Sequence, residues 1–235
     1  MAPIHVGALL FDYQAIDVIG PFDLLNSASK TLIGHLTEYT TVSPDTIAKA
    51  PEFIFHHIGE TLEPVTLTAG ITLVPTTTVA DVPELDILLI GGDSPIHSNI
   101  PESYKDFIRR HVKAGKLLFT NCTGAAVAAQ AGVLDGKNAT VNNVEYNWVK
   151  ERYPAVRWTK AQKWIVDGNI WTGSGAVAGM DMVAHWIKEN YGLDVLTEAT
   201  RGLDFEPRGV DGLFTVLPAR YDADGKRVSS HVFPE

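Results

Sequence analysis

Three nearly continuous apolar runs, "HVGALLF" (5–11), "ELDILLIGG" (84–92) and "KLLFTN" (116–121), are each followed in the chain by a segment with apolar residues at helical spacing. Short runs of this kind read as strands covered on both faces, and strands that keep giving way to helices pair in parallel through crossovers. The chain is therefore expected to form an α/β sandwich, a mostly parallel central sheet between two helical layers. "EYTTVS" (38–43) reads as a second strand from its β-branched residues. Residues 62–82 read as a hairpin around Ala69-Gly70 and then an extended crossing, and "KWIVDGNIWTG" (163–173) as a hairpin turning at Asp167-Gly168. "GPFDLLNSASK" is a helix with Pro21 at a favoured first-turn position, "PESYKDFIRRHVKAG" a helix opened by Pro101 and closed by Gly115, and "AVAGMDMVAHWIKENYG" a long helix closed by Gly192. Beyond Leu193 the pattern weakens to a short helix and an extended tail. All 235 residues thus read as one domain with a core over about 5–192 and a C-terminal extension over about 193–235.

A formal charge of −9 with scattered Lys and Arg argues against a nucleic-acid surface, which needs clustered cations. No stretch is apolar enough for a membrane span, and the first segment lacks the basic lead-in of a secretory signal. A lone cysteine forms no internal disulfide. These features together read as cytoplasmic, with a small molecule as the partner.

That one cysteine, Cys122, lies in "KLLFTNCTGAAVAAQAGVL", where an apolar strand turns into a helix of small residues. This is the arrangement of a nucleophile elbow, which is expected to expose the side chain. The helix that follows should direct its unpaired N–H groups at the sulfur and favour thiolate. A buried packing role is the alternative for an isolated cysteine. Ligands of an open parallel sheet sit beyond the carboxyl ends of the strands. The loop "GGDSP" (91–95) should therefore meet the elbow there, with the Gly92 and Thr123 N–H groups as candidate donors to a developing negative charge. Asp17, in "QAIDVIGPFDLL", should lie near the start of the first helix. It either caps that helix or faces Cys122, in which case the pair would share one proton and put an acid beside a nucleophile.

The motifs "DVIGP", "LLIGGDSP", "NCTGAAVAAQAGVLDGKNAT" and "VDGNIWTGSGAVAGMDMVAH", in this order, resemble the ThiJ/PfpI superfamily, the one that includes Parkinson disease protein 7. The threonine of "CTGA" is similar to the isonitrile hydratase-like branch; branches with peptidase, glyoxalase or deglycase assignments usually carry histidine or alanine there. The resemblance implies a flavodoxin-like three-layer sandwich with the elbow, usually dimeric, without metal or organic cofactor. It carries over Cys122 as nucleophile, Asp17 as its acidic partner and Thr123 as the elbow residue, with Gly91, Gly92, Asp93 and Gly124 as oxyanion or substrate-binding positions. Relatives of this branch often have "THW" where this chain has "VNN" (141–143), so Asn143 is taken to replace an expected histidine.

The activity this implies is hydration of an isocyanide, R–N≡C, to an N-substituted formamide. The alternatives are a redox-responsive protein with an oxidisable Cys122, glyoxalase or deglycase action on oxoaldehydes, and the ligand-sensing half of a transcription regulator, which the charge and the missing DNA-binding helices disfavour. His56-His57 should point to opposite faces of a strand and so make no metal site.

Overall fold

The computed structural model describes residues 2–93 and 99–231. Ser94 and Pro95 of the "GGDSP" loop lie outside the described residues. In chain order the strands are β1 (Ile4–Leu9), β2 (Phe53–Gly59), β3 (Val65–Thr66), β4 (Thr72–Leu73), β5 (Thr77–Thr78), β6 (Ile87–Ile90), β7 (Leu117–Asn121), β8 (Asn138–Ala139), β9 (Arg157–Trp158), β10 (Trp164–Asp167), β11 (Ile170–Gly173), β12 (Arg220–Tyr221) and β13 (Arg227–Val228). The α-helices are α1 (Ile16–Ser27), α2 (Lys30–His35), α3 (Pro44–Lys49), α4 (Glu102–Lys113), α5 (Gly124–Gln130), α6 (Tyr146–Arg152), α7 (Ala176–Tyr191) and α8 (Leu193–Gly202).

Seven strands form the central sheet in the order β10-β11-β7-β6-β1-β2-β5. All neighbours pair in parallel except the β10–β11 hairpin. Alternation along β6 shows why a continuous apolar run was needed. Ile87 and Leu89 join Val6, Ala8 and Phe119 in the core under α1, α7 and α8, whereas Leu88 and Ile90 join Leu9 and Leu118 under α4 and α5. Both faces are covered, so every residue of β6 is buried. The chain has the flavodoxin-like α/β architecture.

Connections run outward from β1 in both directions, to β2 on one side and to β6 on the other. That reversal opens a crevice at the carboxyl ends of β1 and β6, beside that of β7. The segments leading from these three strands carry Asp17, Gly92 and Cys122.

Two local expectations are corrected. "EYTTVS" is not a strand. Its first residue ends a short 3-10 turn (Leu36–Glu38), and Ser43, whose Oγ accepts the Asp45 N–H at 3.3 Å, opens α3 with Pro44 in its first turn. A cap and a pre-set proline decide the segment against its β-branched composition. The strand beside β1 is instead "FIFHHIG", in register from Ile4 opposite Phe53 to Leu9 opposite Ile58. Pro21 is not in the first turn of its helix but inside α1, which begins at Ile16.

The hairpins at Ala69-Gly70 and Gly168, and the helix ends at Gly115 and Gly192, stand where the sequence places them. His5 Nδ1 and His56 Nε2 are 2.9 Å apart, while His57 lies against the Phe22 ring. Among the described residues no group of three or more His, Cys, Asp or Glu side chains is placed to hold a metal ion. Nor is any described helix long and apolar enough to cross a membrane.

The tail beyond α7 is fastened rather than trailing. Val195, Leu196 and Ala199 of α8 are buried in the same core as α1 and α7. Further on, Arg208 grips the buried Asp181 of α7: its backbone N–H donates to Oδ1 at 2.9 Å, and Nε and Nη2 donate to Oδ2 at 2.9 and 2.7 Å.

Candidate active site

β7 ends at Asn121 and α5 begins at Gly124, so Cys122 and Thr123 make the whole turn between them. Cys122 has φ 56°, a left-handed conformation that costs a non-glycine residue about 1–2 kcal/mol. Its own N–H continues the sheet by donating to the Gly173 carbonyl at 3.1 Å. Pairing up to the last residue and an abrupt left-handed turn together hold the sulfur at the strand end.

Asn121 fixes this turn against two other elements. Pro21 has no N–H, so the Asp17 carbonyl four residues earlier in α1 lacks its helical partner. The Asn121 Nδ2 group donates to that carbonyl at 3.1 Å and to the Ala176 carbonyl, at the start of α7, at 3.2 Å. Gly179 makes room, since a Cβ there would stand 2.1 Å from the Asn121 amide. An interior proline thus ties the helix bearing Asp17 to the elbow bearing Cys122.

Asp17 is fully buried. Its Oδ2 accepts the Gly92 N–H at 2.9 Å, and the Gly92 carbonyl accepts the Gln14 N–H at 2.7 Å. Gly92 is accordingly not the free donor expected from the sequence; its N–H is taken by Asp17. Asp17 thus holds this neighbouring loop and does not cap its own helix. A Cβ on Gly92 would lie 2.5 Å from Thr123 N and 3.1 Å from Cys122 Cβ, so the loop after β6 presses directly on the elbow. The Thr123 hydroxyl donates to the Asp93 carbonyl at 2.6 Å. Gly91 packs near Val18 and Tyr13, and Gly124 packs onto the Ile90 carbonyl. Of the expected residues, Asp17, Gly92 and Thr123 meet at Cys122, whereas Gly91 and Gly124 provide close backbone packing beside it.

Sequence reasoning missed Asn142. Its Nδ2 donates to Cys122 Sγ at 3.1 Å, while its Oδ1 accepts the Val144 N–H at 2.8 Å, which fixes the amide with its NH2 towards sulfur. Asn142, not Asn143, is the residue that meets the nucleophile; Asn143 is exposed. The "VNN" triplet was the available signal, and the strand-like approach through β8 did not tell which asparagine turns inward.

Electrostatics also differ from the sequence expectation. Cys122 is only 6% exposed, and burial pushes its pKa up. The charge of Asp17 adds to the rise, and hydrogen bonds from Asn142 and the Thr123 N–H offset part of it. A helix of seven residues supplies too weak a dipole to reverse this. Burial likewise pushes Asp17 up to about 6, against the Gly92 N–H and the Cys122 thiol, which favour its ionised form. At pH 7 the pair therefore holds one proton, resident on sulfur, with the carboxylate beside it ready to accept it.

The raised Asp17 pKa has a consequence for stability. An unfolded aspartate releases its proton near 3.8 and the folded one near 6. Between those values the folded state binds more protons, so stability falls as pH rises, by up to about 3 kcal/mol in total. Asp17→Asn is expected to match wild type near pH 4 and to exceed it in urea midpoint at pH 7.5. Parallel curves for the two proteins from pH 4 to 7.5 would contradict the assignment.

A parallel sheet with a cysteine at a strained strand-to-helix turn, backed by a buried carboxyl, defines an α/β protein of the cysteine-elbow class. The chain belongs to the DJ-1/PfpI family, whose profile matches residues 8–189. It is 29% identical over 207 residues to the isonitrile hydratase of Pseudomonas putida, covering 87% of this chain and 79% of that protein. It is also 27% identical over 126 residues to the HTH-type transcriptional regulator GbdR of Pseudomonas aeruginosa, 54% of this chain but only 34% of the regulator. The fold is shared with Drosophila melanogaster DJ-1beta at a TM-score of 0.67 and 18% identity, over 86% of this chain and 98% of that one.

Proposed function

We propose that this protein is a cysteine-dependent hydratase of isocyanides, acting without a cofactor. The observation that carries the reading is the pairing of the Cys122 thiol with a buried Asp17 carboxyl whose pKa is pushed up to about 6. Similarity to an isonitrile hydratase over most of both chains supports the substrate class. In the first step Asp17 takes the thiol proton as sulfur bonds to the terminal carbon of R–N≡C, then gives that proton to the same carbon. The product is the thioimidate R–N=CH–S–Cys122. Addition of one water and loss of the sulfur release R–NH–CHO and restore the thiol, so R–N≡C plus H2O accounts for every atom.

Asn142 donates to sulfur in the resting state and so opposes part of the penalty that burial sets on any thiolate. The test is ultraviolet-monitored conversion of an aryl isocyanide by purified protein. Formamide formed at a rate proportional to enzyme supports the proposal, and no conversion by folded protein with a titratable Cys122 refutes it. Effector binding without turnover is the second reading, favoured by the regulator match; saturable isocyanide binding with no formamide would select it. Redox sensing is disfavoured by the burial of the sulfur and its raised pKa, and glyoxalase action by threonine rather than histidine directly after Cys122.

A further inference from the structure

The first step leaves a thioimidate that must be attacked by water, and Asp17 lies behind sulfur in a site already engaged with Gly92. A second carboxylate follows three residues after Asn142, the residue that donates to the sulfur. The turn that brings Asn142 onto Sγ continues directly into Glu145, the residue before α6. Glu145 is half-buried, its Oε2 is shut off from solvent without a hydrogen-bond partner among the described residues, and it caps no N–H of its own helix. A buried carboxylate oxygen without a partner is costly, and such groups are kept where they have a task. Its charge is felt at Cys122, where it adds to the rise in the thiol pKa.

Resting on the isocyanide reading, we infer that Glu145 is the general base that activates the hydrolytic water. Asp17 and Glu145 then divide the work: one moves the thiol proton, the other the water protons. Glu145 takes a proton from water as the oxygen bonds to the thioimidate carbon and passes it to the nitrogen, giving R–NH–CH(OH)–S–Cys122. It next removes the hydroxyl proton as the C–S bond breaks with its electron pair on sulfur, and that proton restores the thiol. Asn142 holds the turn in register through the Val144 N–H, so the base is positioned by the same four-residue segment that touches the nucleophile.

The test is Glu145→Gln, which keeps shape and removes basicity. With an aryl isocyanide the variant is expected to show a burst of one equivalent consumed per Cys122. Steady-state formamide release should then fall by about 10²-fold or more. Intact mass should show the thioimidate accumulating on Cys122, heavier than the free protein by one isocyanide. The melting temperature and urea midpoint should stay at the wild-type values, a readout that a merely misfolded variant would not keep. If Glu145→Gln turns over at the wild-type rate with no adduct, the inference is overturned while the hydratase reading stands. Should wild type itself form no formamide, the hydratase reading and the inference both fall.

Discussion

Cys122→Ala is expected to lower isocyanide hydration by at least about 10⁴-fold, because the covalent route has no substitute for its nucleophile. The fold should survive the change. Alanine can hold the same φ of 56° at similar cost, the Cys122 N–H to Gly173 bond is backbone, and Asp17 keeps its Gly92 N–H. Loss of one buried sulfur costs about 1 kcal/mol, equivalent to a few degrees in melting temperature for a chain of this length. The comparison of formamide production with thermal melting separates chemistry from folding. Substantial turnover in a well-folded Cys122→Ala protein would remove the sulfur from the mechanism.

Arg208→Ala is expected to produce the largest loss of stability, about 3–5 kcal/mol, because it strips a buried carboxylate of its paired charge. The side chain of Asp181 is wholly buried, and three donors from Arg208 reach its two oxygens. Burial still leaves the Asp181 pKa raised even with the guanidinium in place, so without it the carboxyl is driven further towards its neutral form. The loss should therefore be smaller at pH 5 than at pH 8. For a domain of this size the shift in melting temperature is about 10 °C at neutral pH. Replacement of both partners, Asp181→Leu with Arg208→Met, should recover most of the loss, since no charge is then left buried. A surface-like loss below about 1 kcal/mol in Arg208→Ala would show that the tail does not depend on this clamp.

The sheet was legible because its signal is redundant. Each residue of "ILLI" in β6 has a core to face on one side or the other, and no other element type uses four consecutive apolar positions so economically at a glycine-ended run. The elbow was legible for a related reason, since a cysteine between a strand and a glycine-led helix has few geometries open to it. What failed depended on single contacts. Thr40 and Thr41 have strand-forming side chains, yet Ser43 and Pro44 commit the segment to α3. Pro21 looks like a helix opener, yet its missing N–H serves a carbonyl claimed from 104 residues away by Asn121. The ionisation of Cys122 was misread because the helix end is visible in sequence whereas the depth of burial and the nearness of Asp17 are not. Asn142 was hidden for the same reason: two adjacent asparagines look alike until one of them turns onto sulfur.

The proposed hydration requires a bond between the Cys122 sulfur and the isocyanide carbon. Quenched-flow mixing of wild-type protein with excess aryl isocyanide, stopped in acid within the first turnover and followed by peptide mass mapping, tests it directly. A transient gain of one isocyanide mass is expected, confined to the peptide containing Cys122, rising before formamide and decaying as formamide appears. Formamide that accumulates from the start with no adduct on that peptide at any time would contradict it.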